Sequence, residues 1–289
     1  MKSPSFLYVR PDSIESTFEL LDQYGDNAKI LAGGQSLLPS LNMRLSAPEV
    51  LIDISKLDEL KQIKDVNNEL HVGALVRHCE VESSSLIASY APLLSMAIPH
   101  VAHRAVRSRG TFGGSIAFAD AASETPAMVL AHDATLVVRS SIGERRVTAD
   151  DFFLGLYETA LTPQEILIRA EFKKPVLGEK YIFKEIARRK GDYATVGLGL
   201  RARFKKKVCS EMRIIYFAIA DKPIVSSAIS DYLIDKEINA EFIDQALSQI
   251  DDDIQPFGDT YHDELTKMHL MRILLKRSLI ELIEVNRDE

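Results

Sequence analysis

The sequence predicts an α+β protein in two domains, and three observations carry that expectation. Short strand and helix patterns follow one another without the long alternating units of a doubly wound sheet. Two glycine turns, Ala32-Gly33-Gly34-Gln35-Ser36 and Thr111-Phe112-Gly113-Gly114-Ser115, each sit beside an apolar run. Around Lys173-Lys174-Pro175-Val176-Leu177-Gly178 the pattern relaxes, which sets a boundary between a domain at 1–175, itself split near residue 55, and a second at 176–289.

Residues 13–24 place Ile14, Phe18, Leu20, Leu21 and Tyr24 at helical spacing behind Pro11-Asp12-Ser13, and Gly25 stops the run. Residues 29–32 read as a buried strand that enters the first glycine turn. Leu37, Leu38, Leu41 and Leu45 then give a helical face, with Pro39 tolerated in the first turn. Strands are expected at 50–54 and 70–74, a helix over 81–96, and a second strand–turn–helix unit around the second glycine turn. Ser123 is the expected N-cap of a helix that has Pro126 in its first turn. Residues 134–139 and 145–148 form a hairpin, and 165–172 alternate as a strand. Beyond the boundary, 181–187, 195–204 and 212–220 predict three antiparallel strands, covered on one face by helices that end over 268–285.

Composition narrows the function. A formal net charge of −7 with no long basic run argues against nucleic acid, and Lys205-Lys206-Lys207 falls in an expected hairpin. Cys79 and Cys209 lack the spacing of a disulfide framework, a zinc site or an iron–sulfur site. His100 and His103 have no carboxylate or Cys at ligand spacing, so solvent or backbone partners are expected for them, and the same holds for His262 and His269. The N-terminal residues lack the apolar core of a signal peptide, and no long uncharged apolar stretch occurs, so a soluble, cytoplasmic protein is expected.

The glycine turns carry the chemistry. Successive N–H groups in such a turn converge on anionic oxygens, and the missing Cβ lets the main chain approach closely. Strand, glycine turn and helix together aim free N–H groups at a phosphate, so two such turns suggest the halves of one cradle for a diphosphate. Neither turn is GxGxxG or GxxxxGK[ST].

The run Ile30-Leu31-Ala32-Gly33-Gly34-Gln35-Ser36-Leu37-Leu38-Pro39 with Arg44-Leu45, and Val106-Arg107-Ser108-Arg109-Gly110-Thr111-Phe112-Gly113-Gly114-Ser115, resemble the FAD-binding medium subunit of molybdenum hydroxylases, the xanthine dehydrogenase and carbon monoxide dehydrogenase family. Phe6-Leu7-Tyr8, Leu51-Ile52-Asp53-Ile54, Asp151-Phe152-Phe153, Glu158-Thr159-Ala160-Leu161 and Ala187-Arg188-Arg189-Lys190-Gly191-Asp192-Tyr193-Ala194 extend the resemblance over nearly the whole chain. Phe118, Ala121 and Tyr216-Phe217 depart from the usual family wording.

The resemblance implies an FAD-binding domain of the p-cresol methylhydroxylase type, followed by a small domain of three antiparallel strands packed with helices. Ala32, Gly33, Gly34, Gln35, Ser36 and Leu37 would wrap the pyrophosphate, and Thr111, Gly113, Gly114 and Ser115 would close over it. Glu124 would hydrogen-bond the flavin's sugar-like chain; its plainer role is a first-turn helix acid. Val101 and Leu167 count among the cofactor contacts. Lys184, Asp192 and Tyr193 would lie beside the isoalloxazine ring, whereas Arg188 and Arg189 are equally accounted for as a solvated turn. The implied function is electron transfer: a small iron–sulfur subunit takes electrons from a large molybdopterin subunit, and FAD here passes them to an external acceptor, NAD, quinone or oxygen. The three chains would form a heterotrimer. A self-sufficient flavin oxidoreductase and a flavin-free scaffold subunit are the alternatives.

Overall fold

The computed structural model describes residues 2–287. Ser13 caps the helix Ile14–Tyr24 by accepting from the Ser16 N–H, and Ser16 caps back onto the Ser13 backbone. That helix buries Ile14, Phe18 and Leu21 against a three-stranded parallel sheet of β1 (Leu7–Val9), β2 (Ala28–Leu31) and β3 (Val50–Asp53), with β3 in the centre. Being central, β3 is buried along its whole length, which explains its unbroken Val-Leu-Ile run.

The second layer is an antiparallel sheet built from β4 (Ile63–Val66), β5 (Glu69–Gly73), β6 (Thr135–Ser140), β7 (Gly143–Thr148) and, after the short pair β8 (Phe153–Gly155) and β9 (Glu158–Thr159), β10 (Ile166–Lys173). Its order is β4-β5-β10-β6-β7. Strand β4 is not among the strands expected from the sequence; Asn67 and Asn68, both at positive φ (54° and 64°), make the tight hairpin turn that joins it to β5. Residues 81–96, expected as one helix, fall within three short ones, His78–Ser83, Ser85–Tyr90 and Pro92–Ala97. Ser84 breaks the run by capping Ile87, and Pro92 removes a donor.

The third sheet holds β11 (Glu179–Ala187), β12 (Ala194–Lys205), β13 (Val208–Phe217) and a two-residue β14 (Ile224–Val225), which adds a fourth strand to the three expected. One face packs under the long helix Glu264–Arg287 through Leu274, Leu275, Leu279 and Leu282. The other face meets the helix Glu124–Ala131, whose eight residues are all buried. Gly197 makes that packing possible, since a Cβ there would lie 1.9 Å from the Phe217 ring. Gly197→Ala is therefore expected to lower stability by about 1–3 kcal/mol, read as a lower urea midpoint at constant m.

Candidate FAD site

Strand β2 delivers the chain into the first turn, where the Ile54 N–H takes the Leu31 carbonyl and Gly34 adopts φ +71°. The helix Leu37–Asn42 that follows has no side-chain cap. Among the described residues the backbone N–H groups of Gly33, Gly34, Gln35, Ser36 and Leu37 find no acceptor within the chain. Gln35 turns its own amide back onto the Gly33 carbonyl at 3.1 Å, leaving the N–H side open. Unpartnered donors in a segment that is half-buried except at Gln35 suit an anion.

The second turn is pressed directly onto the first. A Cβ on Gly33 would stand 2.4 Å from the Arg109 carbonyl oxygen and 2.8 Å from the Gly110 Cα, and one on Gly114 would lie 3.8 Å from the Ala32 Cβ. The expected pairing of the turns is present, but their chemistry differs. In the second turn the donors are spent: Phe112 on the Val76 carbonyl (2.8 Å), Gly113 on Ala74 (2.9 Å), Gly114 on the Thr111 hydroxyl (3.2 Å) and Ser115 on the Thr111 carbonyl (3.1 Å). Gly113 does not face the open cleft; a Cβ there would strike Ala74 at 2.4 Å, so this glycine seats the helix Phe112–Phe118 on the sheet. The Ser115 hydroxyl is 3.1 Å from Nε2 of His78. His78 is 2% exposed, and burial, then the nearby Arg107, lowers its pKa to about 4, so it is neutral. No spacing rule points to His78, because its partner lies 37 positions away.

The seven-residue helix Phe112–Phe118 spans about 10 Å and leads to a second group of residues. Ala119 ends it in the left-handed region at φ 50°, and Asp120 follows. Glu124 opens the next helix, only 5% exposed, so it is a first-turn helix acid as one reading expected. Ser123 occupies the N-cap but makes no side-chain bond there. Burial drives the Glu124 pKa up to about 8, with Glu185 and Asp120 adding repulsion. A carboxyl that holds its proton more tightly folded than unfolded stabilises the fold most below pH 4.5 and loses that contribution as pH rises through about 8. Over that interval it amounts to at most roughly 5 kcal/mol. Glu124→Gln is expected to flatten the fall of the urea midpoint between pH 6 and 9.

Tyr193 is 65% exposed, yet partial desolvation and the carboxylate of Asp120 raise its pKa. Tyr157, at φ 58°, packs against Phe118 with ring centroids 4.9 Å apart and tilted by 53°, beside the same Asp120. The 188–193 loop docks through Gly191, where a Cβ would meet the Ala102 carbonyl at 2.7 Å. Arg107 fixes that neighbouring segment by donating to the carbonyls of Val101 (3.0 Å) and Ala102 (3.2 Å) while paired with Glu82. Val101 is half-buried against the main core, and Leu167, 4% exposed, lies in the same core at a bulge of β10. Asp192 accepts from Arg188 at 3.4 Å.

Lys184, expected beside the ring, lies on the face of β11 that meets the C-terminal helices. Tyr181 and Phe183 of β11 pack on the main core, whereas Ile182 and Ile186 face the C-terminal helices, and the Lys184 ammonium pairs with Glu281 of the helix Glu264–Arg287. Strand alternation gives Lys184 the helix side. His100, expected to meet solvent or backbone, instead binds Glu185 at 2.8 Å. Among the described residues, one group of possible metal ligands gathers, Glu69, His71 and Glu171. There Glu171 already accepts from Arg146 and Arg169, which makes it the centre of an ion-pair network.

An open row of main-chain donors at the junction of two glycine turns, with a buried acid beyond the intervening helix, is a lining suited to a phosphate-bearing cofactor. Comparison with known proteins gives the class its particular form. Residues 4–172 match the FAD binding domain in molybdopterin dehydrogenase, and residues 181–282 the CO dehydrogenase flavoprotein C-terminal domain. The chain is 32% identical over 282 residues to the glyceraldehyde dehydrogenase medium chain of Sulfolobus acidocaldarius, covering 97% of this chain and 99% of that one. It is 37% identical over 239 residues to the caffeine dehydrogenase subunit beta of a Pseudomonas species, covering 82% and 81%. Among solved structures it superposes on quinoline 2-oxidoreductase from Pseudomonas putida 86 with a TM-score of 0.93 at 34% identity, covering 99% of each chain. On carbon monoxide dehydrogenase from Hydrogenophaga pseudoflava the TM-score is 0.92 at 32% identity, covering 96% of each chain. The chain belongs to the FAD-binding medium-subunit family of the molybdenum hydroxylases, and its cofactor is FAD. Among the described residues no helix is long and apolar enough to cross a membrane.

Proposed function

We propose that this chain is the electron-relay subunit of a three-part molybdenum hydroxylase, receiving electrons from an iron–sulfur subunit that serves a molybdopterin subunit, and delivering them to an external acceptor. The observation that carries the assignment of the site is the set of open N–H groups from Gly33 to Leu37, because such donors fit a diphosphate and no side chain among the described residues takes them. Gly33 lets the turns approach each other, Gly114 leaves room for the Thr111 hydroxyl, and Thr111 and Ser115 hold the second turn in shape through the Gly114 N–H and His78. Glu124, neutral at pH 7, is a buried carboxylic acid able to donate as well as accept toward a polyhydroxyl chain. Tyr193 and Tyr157 present rings at an exposed edge beside Asp120, where a partner or acceptor approaches.

Bound FAD supplies the ability to accept electrons singly and to give them up in pairs. The relay reading is tested with the purified chain, alone and with its partner subunits. Flavin bleaching by the organic substrate is expected only when both partners are present. Bleaching by the chain alone would transfer the assignment to a self-sufficient flavin oxidoreductase.

A further inference from the structure

We propose that His78 is a positioning residue of the cofactor site: its Nε2–H donates to Oγ of Ser115 and so turns the Ser115 hydroxyl proton outward as a donor to the diphosphate. The proposal rests on the flavin reading above. From Phe112 to Ser115 the main-chain donors of the second turn are all engaged within the chain. What this lip offers an anion must therefore come from its hydroxyls, Thr111 and Ser115, which stand one helical turn apart at the start of the helix Phe112–Phe118. The Thr111 oxygen accepts from the Gly114 N–H at 3.2 Å. Ser115 is half-buried, and among the described residues its hydroxyl meets only Nε2 of His78, at 3.1 Å. The direction of that one hydrogen bond decides whether Ser115 presents a proton or lone pairs to the cleft.

The fold fixes the ring. The His78 N–H donates to the Gly110 carbonyl at 3.0 Å, and a Cβ on Gly110 would stand 2.8 Å from the ring Cδ2 and 3.3 Å from Nε2. The neighbouring Arg77 bridges to Thr111 and donates to the Ser108 carbonyl at 3.3 Å, which clamps the start of this helix onto the second turn.

Burial settles the proton. The imidazole is 2% exposed and neutral, with its pKa lowered to about 4, so it carries a single N–H. Its Nδ1 is buried and has no partner among the described residues. A proton on Nδ1 would be a buried donor without an acceptor, and orphan N–H groups are rarer than orphan lone pairs. Ser115 would then have to donate into Nε2 and turn only lone pairs to an anion. A proton on Nε2 satisfies the ring's one donor and leaves the Ser115 proton free. The buried ring and an anionic ligand thus select the same tautomer.

Two measurements test this. Nitrogen NMR of the whole chain carrying isotope-labelled histidine at pH 7 is expected to show His78, identified by its loss in His78→Gln, protonated on Nε2 and bare on Nδ1. A proton on Nδ1 overturns the proposal. The second measurement is FAD titration of the chain assembled with its partner subunits and stripped of flavin. Ser115→Ala is expected to weaken binding by about ten- to a hundredfold. His78→Leu is expected to weaken it by about five- to tenfold, since the freed hydroxyl keeps its proton but loses its orientation. The double variant should be no weaker than Ser115→Ala alone, because His78 acts through that hydroxyl. His78→Gln, whose amide N–H can reach the Nε2 position, should recover most of the affinity. Additive losses in the double variant, or wild-type affinity in His78→Leu, overturn the proposal. If His78→Leu fails to fold, a glutamine variant as weak as Ser115→Ala overturns it. A wild-type complex that takes up no FAD overturns the flavin reading instead.

Discussion

Alanine at position 33 is expected to empty the protein of its flavin. The added methyl would sit 2.4 Å from the Arg109 carbonyl oxygen, 2.8 Å from the Gly110 Cα and 3.0 Å from the Thr111 N. All three are backbone atoms, so no side chain can swing aside, and the two turns must separate. Separation misaligns the open N–H groups from Gly33 to Leu37. Losing two or three charge-assisted hydrogen bonds at about 1.5–3 kcal/mol each weakens FAD binding by at least about a hundredfold. Neighbouring glycines give the controls. Gly34→Ala meets only the flexible Leu38 and Leu31 side chains at 3.0 and 3.2 Å, and its cost is the φ of +71°, about 1–2 kcal/mol. Gly113→Ala collides with Ala74 and is expected to reduce soluble yield before any flavin measurement. Flavin titration of refolded Gly33→Ala, read by absorbance and fluorescence quenching, checks the first expectation; wild-type affinity would falsify it.

Acidification is expected to unfold the protein through two buried histidines. Nε2 of His132 accepts from the Leu93 N–H at 3.1 Å, so the ring must be neutral, and burial, then Arg201, lowers its pKa to about 3. His78, neutral on Ser115, is lowered to about 4. For groups depressed on folding from 6.5, the stabilisation is complete above pH 6.5 and is lost as pH falls toward the folded value. Between pH 6.5 and 5 each costs about 2 kcal/mol, roughly 4 together. Glu124 acts in the opposite sense over the same window, so the wild-type decline is the difference between the two effects. The Glu124→Gln background should therefore show a steeper acid loss than wild type, and adding His132→Gln should remove about half of it. Urea midpoints at pH 7, 6 and 5 measure this, and equal slopes in all three proteins would rule it out. Because His78 holds Ser115 in the second turn, flavin release should accompany the transition.

The glycine turns were legible because local chemistry defines them: strand, turn and helix lie within a dozen residues. Their division of labour was not. Gly113 looks like Gly33 in sequence, and only the fold reveals that one faces Ala74 and the other the opposing turn. Strand β11 hid its orientation for a related reason. Its sheet is covered on both sides, so Tyr-Ile-Phe-Lys-Glu-Ile has apolar residues in both phases, and period-two alternation cannot say whether Lys184 or Glu185 faces the main core. His100 meets Glu185 across 85 residues of chain, beyond any spacing rule. The hairpin asparagines and the Ser84 and Pro92 breaks were readable in principle from their turn and cap chemistry.

The helix Glu124–Ala131, buried on every side, bears on how this family can be recombined. Ala194, Ile215, Phe217 and Ala218 of the third sheet share one core with Met128, Val129 and Leu130 of that helix. The two matched regions are therefore separable in sequence but not in substance. A chimera joined near residue 175 would inherit mismatched halves of a single interior, and exchange between relatives should carry the helix Glu124–Ala131 along with the C-terminal sheet.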